Sequence, residues 1–166
     1  MFMLIDCYLG KCLFSACPLS LTLSFSDESG RTALHYVALY GHEYCLEPLL
    51  ELKNTNVNVM TRDNRGHTVF HCAALSGSSD IISLLVQQRA SFTTLTILEC
   101  LLELDNRGQS PLQIAASCGH VDMVAQLITL CPKALNHHDK AGLTPMSHAA
   151  AVGRVKVRDD FFLITF

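Results

Sequence analysis

The sequence of 166 residues has no tryptophan, and aromatic side chains make up only 7% of it. So few rings argue against a platform on which single-stranded nucleic acid stacks its bases. Charged residues are scarce as well, at 16%, and the formal net charge is −3. A chain without a basic excess lacks the electrostatic footprint of a protein that follows phosphate backbones, so we predict no nucleic-acid partner. An apolar fraction of 49% is nevertheless sufficient for a folded core.

Motifs that carry chemistry are missing too. The eight cysteines include no Cys-x-x-Cys pair, which excludes a zinc knuckle or a dithiol redox site of that type. There is no Gly-x-Ser-x-Gly, no P-loop and no Gly-x-Gly-x-x-Gly. We therefore predict no catalytic residue, no cofactor and a non-enzymatic role. We also expect the thiols to be reduced, with disulfides as the alternative that an even number of cysteines allows.

Eight of the nine glycines, by contrast, are regularly placed. They form four pairs, and in each pair the second glycine stands eleven positions after the first. Successive pairs begin 36, 42 and 34 residues apart. A fixed internal offset with a period of this length predicts a solenoid of repeated units. The pairs are Gly30 with Gly41, Gly66 with Gly77, Gly108 with Gly119, and Gly142 with Gly153.

Each glycine pair encloses the start and the end of one short helix. An aspartate stands three residues before the first glycine, and Asp-x-x-Gly is a tight-turn pattern. Two residues after that glycine, a threonine or serine is placed to cap a helix, and the second glycine can end the helix after about eight residues. The aspartates are Asp27, Asp63, Asp105 and Asp139, and the cap residues are Thr32, Thr68, Ser110 and Thr144.

A helix of two turns is marginal in water and must be stabilised by its neighbours. Small residues recur five and six positions after the cap, which lets adjacent helices approach closely. A second segment with an i, i+3, i+4 apolar face follows, for example Leu46, Leu49 and Leu50. Neither helix can bury its face alone. The sequence therefore predicts an all-α solenoid of stacked helix-turn-helix units with short β-hairpin-like turns.

The recurring pattern resembles the ankyrin repeat, Asp-x-x-Gly-x-Thr-Pro-Leu-His-x-Ala-Ala-x-x-Gly-His. The resemblance covers about residues 27 to 162 and implies protein–protein recognition. In such arrays the turns project beside a concave face made by the first helices, and partners generally dock there. The four copies read DESGRTALHYVALYGH (27–42), DNRGHTVFHCAALSGS (63–78), DNRGQSPLQIAASCGH (105–120) and DKAGLTPMSHAAAVGR (139–154).

The repeat pattern divides the chain into five parts. Residues 1–26 fit the repeat poorly, 27–62 form the first repeat, 63–104 the second with an insertion, 105–138 the third, and 139–166 a truncated fourth. The insertion carries four apolar residues at helical spacing, which we interpret as additional core, with a binding protrusion as the alternative. They are Ile97, Leu98, Leu101 and Leu102.

Both ends of the chain are apolar. The longest uncharged stretch near the start, residues 12–26, has 15 residues and contains Pro18, so it is too short for a membrane span. We interpret residues 1–26 as a degenerate repeat or an N-terminal helix that covers the open end, with a disordered segment as the alternative, rather than as a signal peptide. The final FFLITF is unlike the polar outer face of a capping repeat. It predicts self-association or a partner at that end, or a longer array.

Eight histidines raise the question of a metal site. His67 and His71 are four residues apart, but the cap Thr68 lies between them, and no glutamate stands beside them as in His-Glu-x-x-His. The resemblance implies that His35 and His71 bond backbone groups between units, and that His42 and His120 also belong to the framework. We therefore predict no metal site.

The candidate binding residues lie at the places where the resemblance puts the turns and the concave face. Arg65 and Arg107 recur at one turn position, and two guanidinium groups in a row suit an acidic or phosphorylated partner. Tyr36 and Tyr40 share one helix face, and large aromatics are frequent at binding hot spots. The predicted partner-binding residues are Arg31, Tyr36, Tyr40, Arg65, His67, Leu75, Arg107, Gln109, Ile114, Lys140 and His148.

The sequence thus predicts a scaffold or adaptor that binds a protein partner of unknown identity on its concave face and turn tips. A regulatory subunit of an enzyme, such as a protein phosphatase, is the second interpretation, and a fragment of a larger ankyrin-repeat protein is the third. We expect the protein in the cytoplasm, with the nucleus as the alternative. The weak signal-peptide features disfavour secretion.

Overall fold

The computed structural model describes residues 26–50, 58–87, 94–154 and 156. No β-strand occurs within these ranges, and none of their helices reaches the length and apolarity that a membrane crossing requires. The predicted N-terminal cap and the apolar C-terminal end fall on residues outside the described part. The α-helices are α1 (Ala33–Tyr40), α2 (Glu43–Leu50), α3 (Val69–Ser76), α4 (Ser79–Gln87), α5 (Thr94–Leu102), α6 (Pro111–Cys118), α7 (Val121–Leu130) and α8 (Pro145–Ala151), and the 3-10 helix Pro132–Asn136 follows α7.

The helices form two layers, as expected for stacked helix pairs. The first helices of the four units, α1, α3, α6 and α8, pack in that order, each against the next. The second helices α2, α4 and α7 make a parallel row behind them. The predicted all-α solenoid is therefore confirmed.

Close packing of the first helices depends on the small residues that recur in them. Val37, Ala73, Ala115 and Ala149 are all completely buried. The larger apolar residue near the start of each of the first three helices is also buried, namely Leu34, Phe70 and Leu112. Short helices that are unstable alone are thus stabilised by neighbours on both sides.

The first helices begin and end where the turn and cap residues predict. Thr32, Thr68, Ser110 and Thr144 are the N-caps, each with extended backbone. Proline occupies the first turn of α6 and of α8. Glycine ends α1, α3 and α6 in the left-handed conformation, with a φ of 86° at Gly119. In the fourth unit the helix ends one residue earlier, at Ala151.

The insertion in the second repeat forms a separate helix, α5. Ile97, Cys100 and Leu101 are buried, and Leu98 and Leu102 pack against the same core. Helix α5 contacts α6 and the 3-10 helix. The interpretation of the insertion as additional core is therefore confirmed.

Candidate functional site

Each turn is organised by its aspartate. The Asp63 Oδ1 accepts hydrogen bonds from the backbone N–H groups of Arg65 and His67, both at 2.8 Å. Its Oδ2 lies 3.1 Å from Nε of Arg31 in the preceding turn. Burial raises the pKa of Asp63, but the hydrogen bonds from His67, Arg31 and Arg65 lower it by more. The Asp63 carboxylate is therefore ionised and faces inward. In the next turn, Asp105 Oδ1 accepts the equivalent two backbone hydrogen bonds, from Arg107 and Gln109.

The turns are joined to one another by backbone hydrogen bonds. The residue after each aspartate donates its N–H to a carbonyl of the preceding turn. These N···O distances are 2.9 Å from Asn64 to Ser29, 2.9 Å from Asn106 to Arg65, and 3.2 Å from Lys140 to Arg107. The side-chain amides of Asn64 and Asn106 also donate to the preceding turn. The turns therefore form a continuous edge, and its exposed residues, Asn64, Arg65, Asn106, Arg107 and Lys140, are called the turn row.

Two buried histidines connect successive repeats, as the resemblance implied. In His71, Nδ1 accepts from the backbone N–H of Thr68 at 3.1 Å, which leaves Nε2–H to donate to the carbonyl of Gln109 at 3.1 Å. His35 makes the same bond with Thr32, and its Nε2 lies 3.1 Å from the carbonyl of Thr61 in its own repeat and 3.1 Å from that of His67 in the second repeat. Burial lowers the pKa of both, and that of His71 falls to about 4, so both rings are neutral near pH 7.

The third repeat makes this connection with Gln113. Its Oε1 accepts from the backbone N–H of Ser110 at 2.8 Å, and its Nε2 donates to the carbonyl of Leu143 at 2.7 Å. An amide thus supplies the acceptor and the donor that neutral imidazole supplies elsewhere. In the fourth repeat the Ser147 side chain bonds its own cap, Thr144, and no other described residue.

Aromatic rings line the surface of α1. The rings of Tyr36 and Tyr40 stack with centroids 6.1 Å apart, and His42 lies 5.9 Å beyond Tyr40. The Arg31 guanidinium lies 6.0 Å from the centre of the Tyr36 ring. The hydroxyl of Tyr36 donates to Asp27, so Tyr36 also supports the first turn. Tyr40 is 47% exposed and is the accessible member of this group.

Nine of the eleven predicted binding residues lie at least partly at the surface. Arg65, Arg107, Lys140 and Tyr40 are exposed, and Arg31, Tyr36, Leu75, Gln109 and His148 are half-buried. Gln109 and His148 adjoin across two repeats, with Nε2 atoms 3.3 Å apart, and His148 Nε2 is 2.9 Å from Asp139. The structure therefore brings a turn residue, Gln109, and a helix residue, His148, together.

The predicted exposure of His67 and Ile114 is wrong. His67 is only 7% exposed, because its turn places the imidazole between the carboxylates of Asp63 and Asp105, at 3.7 and 3.4 Å, and against the ring of His71. Ile114 is 4% exposed, because α6 is packed between α3 and α8. Neither side chain belongs to the candidate surface.

Sequence reasoning also missed two features of this surface. One is His42, whose ring extends the aromatic group beyond Tyr40. The other is the pair of amides from Asn64 and Asn106 that links the turns. The available signal was that asparagine directly follows the turn aspartate in both repeats.

The buried thiols are not suited to nucleophilic chemistry. Burial raises the pKa of Cys72 to about 12 and that of Cys100 to about 11, so neither is a thiolate near pH 7. Within the described part of the chain, no group of three or more His, Cys, Asp or Glu side chains is placed to hold a metal ion.

The expectation of reduced thiols is wrong for one cysteine. Cys72, Cys100, Cys118 and Cys131 are free, but Cys45, buried in α2, is disulfide-bonded. Disulfide formation requires two Cβ atoms within about 4 Å of each other, and spacing along the chain does not show which cysteines meet that condition.

Comparison with known proteins identifies the repeat independently. A family model described as ankyrin repeats (3 copies) matches residues 9–96 and 90–159. The model specifies three copies, whereas the pattern described above gives four.

The chain is also similar to parts of several much larger proteins. It is 34% identical over 76% of its length to alpha-latrotoxin-Lhe1a of Latrodectus hesperus, and 32% identical over 78% of its length to neurogenic locus notch homolog protein 1 of Xenopus laevis. It spans only 8% and 5% of those two proteins. It is 28% identical to the probable 26S proteasome regulatory subunit p28 of Saccharomyces cerevisiae, over 76% of this chain and 67% of that protein.

Proposed function

Because the chain belongs to the ankyrin repeat family, whose repeats are protein-interaction modules, we propose that it is a non-enzymatic scaffold or adaptor. Its partner docks on the concave face of the first helices and on the turn row. The observation that carries this proposal is that turn residues adjoin residues of the first helices, since Gln109 lies 3.3 Å from His148 and the Arg31 guanidinium lies 6.0 Å from the centre of the Tyr36 ring. We further propose that the partner is met in the cytoplasm.

The chemistry of this surface suits recognition of another protein. A half-exposed tyrosine supplies a large rigid ring at a low entropic cost of ordering, and such rings are frequent at interface centres. The half-buried polar groups of Gln109 and His148 supply hydrogen-bonding atoms at the third and fourth repeats. A rigid surface of this kind needs little rearrangement to bind.

Photocrosslinking tests the location of the binding surface. We replace Tyr40 with p-azidophenylalanine in one variant and Tyr44 in another, and irradiate each in a cell extract. Tyr44 is a matched control because it is also a tyrosine, is 86% exposed, and lies on the second helix α2. We expect a defined protein adduct from position 40 and none from position 44, read out by mass spectrometry. Equal adducts from both positions would exclude the concave face.

A second candidate function is that of a regulatory subunit. The similarity to a protein named as a probable proteasome regulatory subunit, over two thirds of that protein's length, favours it. Native complexes from extract distinguish the two functions. One stoichiometric enzyme partner supports regulation, and several unrelated partners support scaffolding.

A further inference from the structure

Charges of opposite sign lie at different depths in the turns. The aspartates of the second to fourth turns direct their carboxylates toward backbone N–H groups, and Asp63 and Asp105 are buried. Glu28 is exposed in the first turn. The basic side chains of the second to fourth turns are exposed: Arg65, Arg107 and Lys140. A basic edge therefore exists on a chain whose net charge is −3.

The two arginines of the turn row differ from the other described arginines near the turns in their contacts. Elsewhere the guanidinium of Arg31 pairs with Asp63, and that of Arg62 pairs with Glu103. The guanidinium groups of Arg65 and Arg107 make no ion pair or hydrogen bond with any residue in the described ranges. Their charge is available for a ligand, and a free guanidinium binds carboxylate through two parallel hydrogen bonds.

The third cation of the row is held in place by its neighbour. Lys140 Nζ donates to the carbonyl of Asn106 at 2.9 Å, so the ammonium group lies above the adjacent turn. Because an ammonium has three donors, two of them stay available to another acceptor. The Lys140 ammonium therefore adds a third positive charge beside the turn that carries Arg107.

The spacing of the row indicates the conformation of its ligand. Packed helices lie about 8–10 Å apart, so Arg65 and Arg107, which hold the same position in successive turns, recur at about that distance. A polyproline II segment has three residues per turn and rises ~3.1 Å per residue, so every third side chain lies about 9 Å further along the same side. A β-strand does not match, because its side chains i and i+3 point to opposite faces.

We propose that the turn row binds an acidic segment of a partner protein in which carboxylates recur at every third residue of a polyproline II-like chain. This proposal rests on the function proposed above and gives the chemistry of the partner at one part of the docking surface. The segment lies along the turns, with carboxylates three residues apart on Arg65 and Arg107 and with Lys140 as a further donor beside Arg107.

Fluorescence anisotropy with the full chain tests the proposal. The probe is a labelled nine-residue peptide that repeats Glu-Pro-Ala three times. We expect the Arg65→Gln/Arg107→Gln variant to bind it about tenfold more weakly, since two exposed ion pairs are lost. We also expect binding to weaken as NaCl is raised, because exposed charges are screened by salt.

Matched controls separate specific recognition from general attraction. Lys133→Gln/Lys156→Gln removes the same charge from two exposed positions outside the turn row, and should leave the affinity nearly unchanged. A peptide with three adjacent glutamates should bind more weakly than the repeated one, and a glutamine version should not bind. Exposed substitutions of this kind change stability little, and thermal unfolding verifies it.

Several results would overturn the proposal. These are equal weakening by the two double variants, equal affinity for the adjacent-glutamate peptide, and binding of a phosphoserine version without binding of the glutamate version. The crosslink from position 40 is an independent readout. If it persists while the peptide fails to bind, the acidic-segment proposal falls and the proposed docking function stands.

Discussion

At the scale of single residues, one buried imidazole both caps its own helix and bonds the next repeat. The His71 ring accepts a hydrogen bond from its own helix cap through Nδ1 and donates one to the next repeat through Nε2. Protonation at Nδ1 removes the acceptor that the Thr68 N–H requires. Because His71 is buried, the charged form is also poorly solvated, which is the main reason that its pKa falls to about 4.

This pKa predicts how stability depends on pH. The unfolded chain binds the His71 proton near the ordinary pKa of 6.5, whereas the folded chain binds it only near 4. The stabilisation that neutral His71 contributes is therefore complete above pH 6.5, and it is lost as the pH falls toward 4. At about 1.4 kcal/mol per pH unit the full loss is on the order of 3 kcal/mol. Urea unfolding at a series of pH values measures it.

The variant His71→Gln is expected to flatten that pH dependence. Gln113 shows that an amide makes the equivalent bonds in the third repeat, so the variant should fold. Part of the slope should remain, because burial also lowers the pKa of His35. Asp27 and Asp63 also have lowered pKa values, but these change the stability only below about pH 4, outside the range from pH 6.5 to 4. An unchanged slope between pH 6.5 and 4 in the variant would contradict the assignment.

Residue roles were predictable from the sequence where the repeat pattern states them. The connecting roles of His35 and His71 followed from the resemblance and are confirmed. The equivalent role of Gln113 was missed, because a glutamine in place of histidine appears only as a departure from the pattern. The burial of His67 could not be read from the sequence either, since it depends on the direction in which a turn side chain folds.

At the scale of one element, the turn shows how closely the repeats are fitted together. Gly66 has a φ of 79°, and a Cβ there would lie 2.7 Å from Oδ1 and 2.9 Å from the backbone nitrogen of Asn106 in the next turn. Gly142 has nearly the same φ, 77°, and a Cβ there meets no atom within 4 Å among the described residues. The two positions differ only in what lies beside them.

This difference supports a paired prediction on stability. Gly142→Ala should lower the free energy of unfolding by about 1–2 kcal/mol, the cost of left-handed backbone with a Cβ. Gly66→Ala should lower it by more, because the turn must also move away from Asn106. Chemical unfolding of both variants gives the comparison. Equal losses of unfolding free energy in the two variants would show that the second and third turns can move apart without a free-energy cost.

Helix α5 gives a second prediction at this scale. Leu101 is buried in the core, whereas Leu98 in the same helix is only partly buried. Leu101→Ala should therefore cost about 2–5 kcal/mol of stability. Leu98→Ala removes the same atoms and should cost less. If Leu101→Ala and Leu98→Ala lower the unfolding temperature equally, α5 is not part of the core.

Element boundaries were predicted best where caps and glycines mark them. Helices α1, α3 and α6 have the expected eight residues between a hydroxyl cap and a glycine. Helix α5 was foreseen only as additional core, and the 3-10 helix Pro132–Asn136 was not foreseen. Neither is marked by a glycine or cap residue of the repeated pattern, so comparison between units provided no signal for them.

At the scale of the whole molecule, stability should vary along the stack. Helix α3 packs between α1 and α6, and α6 packs between α3 and α8. In an array held by neighbour contacts, units enclosed on both sides open least often. We expect amide hydrogen exchange to be slowest in α3 and α6. Uniform protection across α1, α3, α6 and α8 would indicate that the array opens as a single unit.

The fold was more predictable than the docking surface, for a physical reason. Fold depends on spacing, and the glycine, aspartate and cap positions recur in every unit. A surface depends on which side chains remain exposed after packing, and two of the eleven predicted residues, His67 and Ile114, are buried. The inward direction of the Asp63 and Asp105 carboxylates likewise emerges only from the folded turn.

The bonds between successive turns have an evolutionary consequence. Main-chain atoms form the link from Arg65 to Asn106 and the link from Arg107 to Lys140, so neither link depends on which side chain is present. Mutations at the tips can therefore accumulate with little penalty to folding. A lineage could exchange one binding preference for another by altering a few surface codons while the scaffold stays intact.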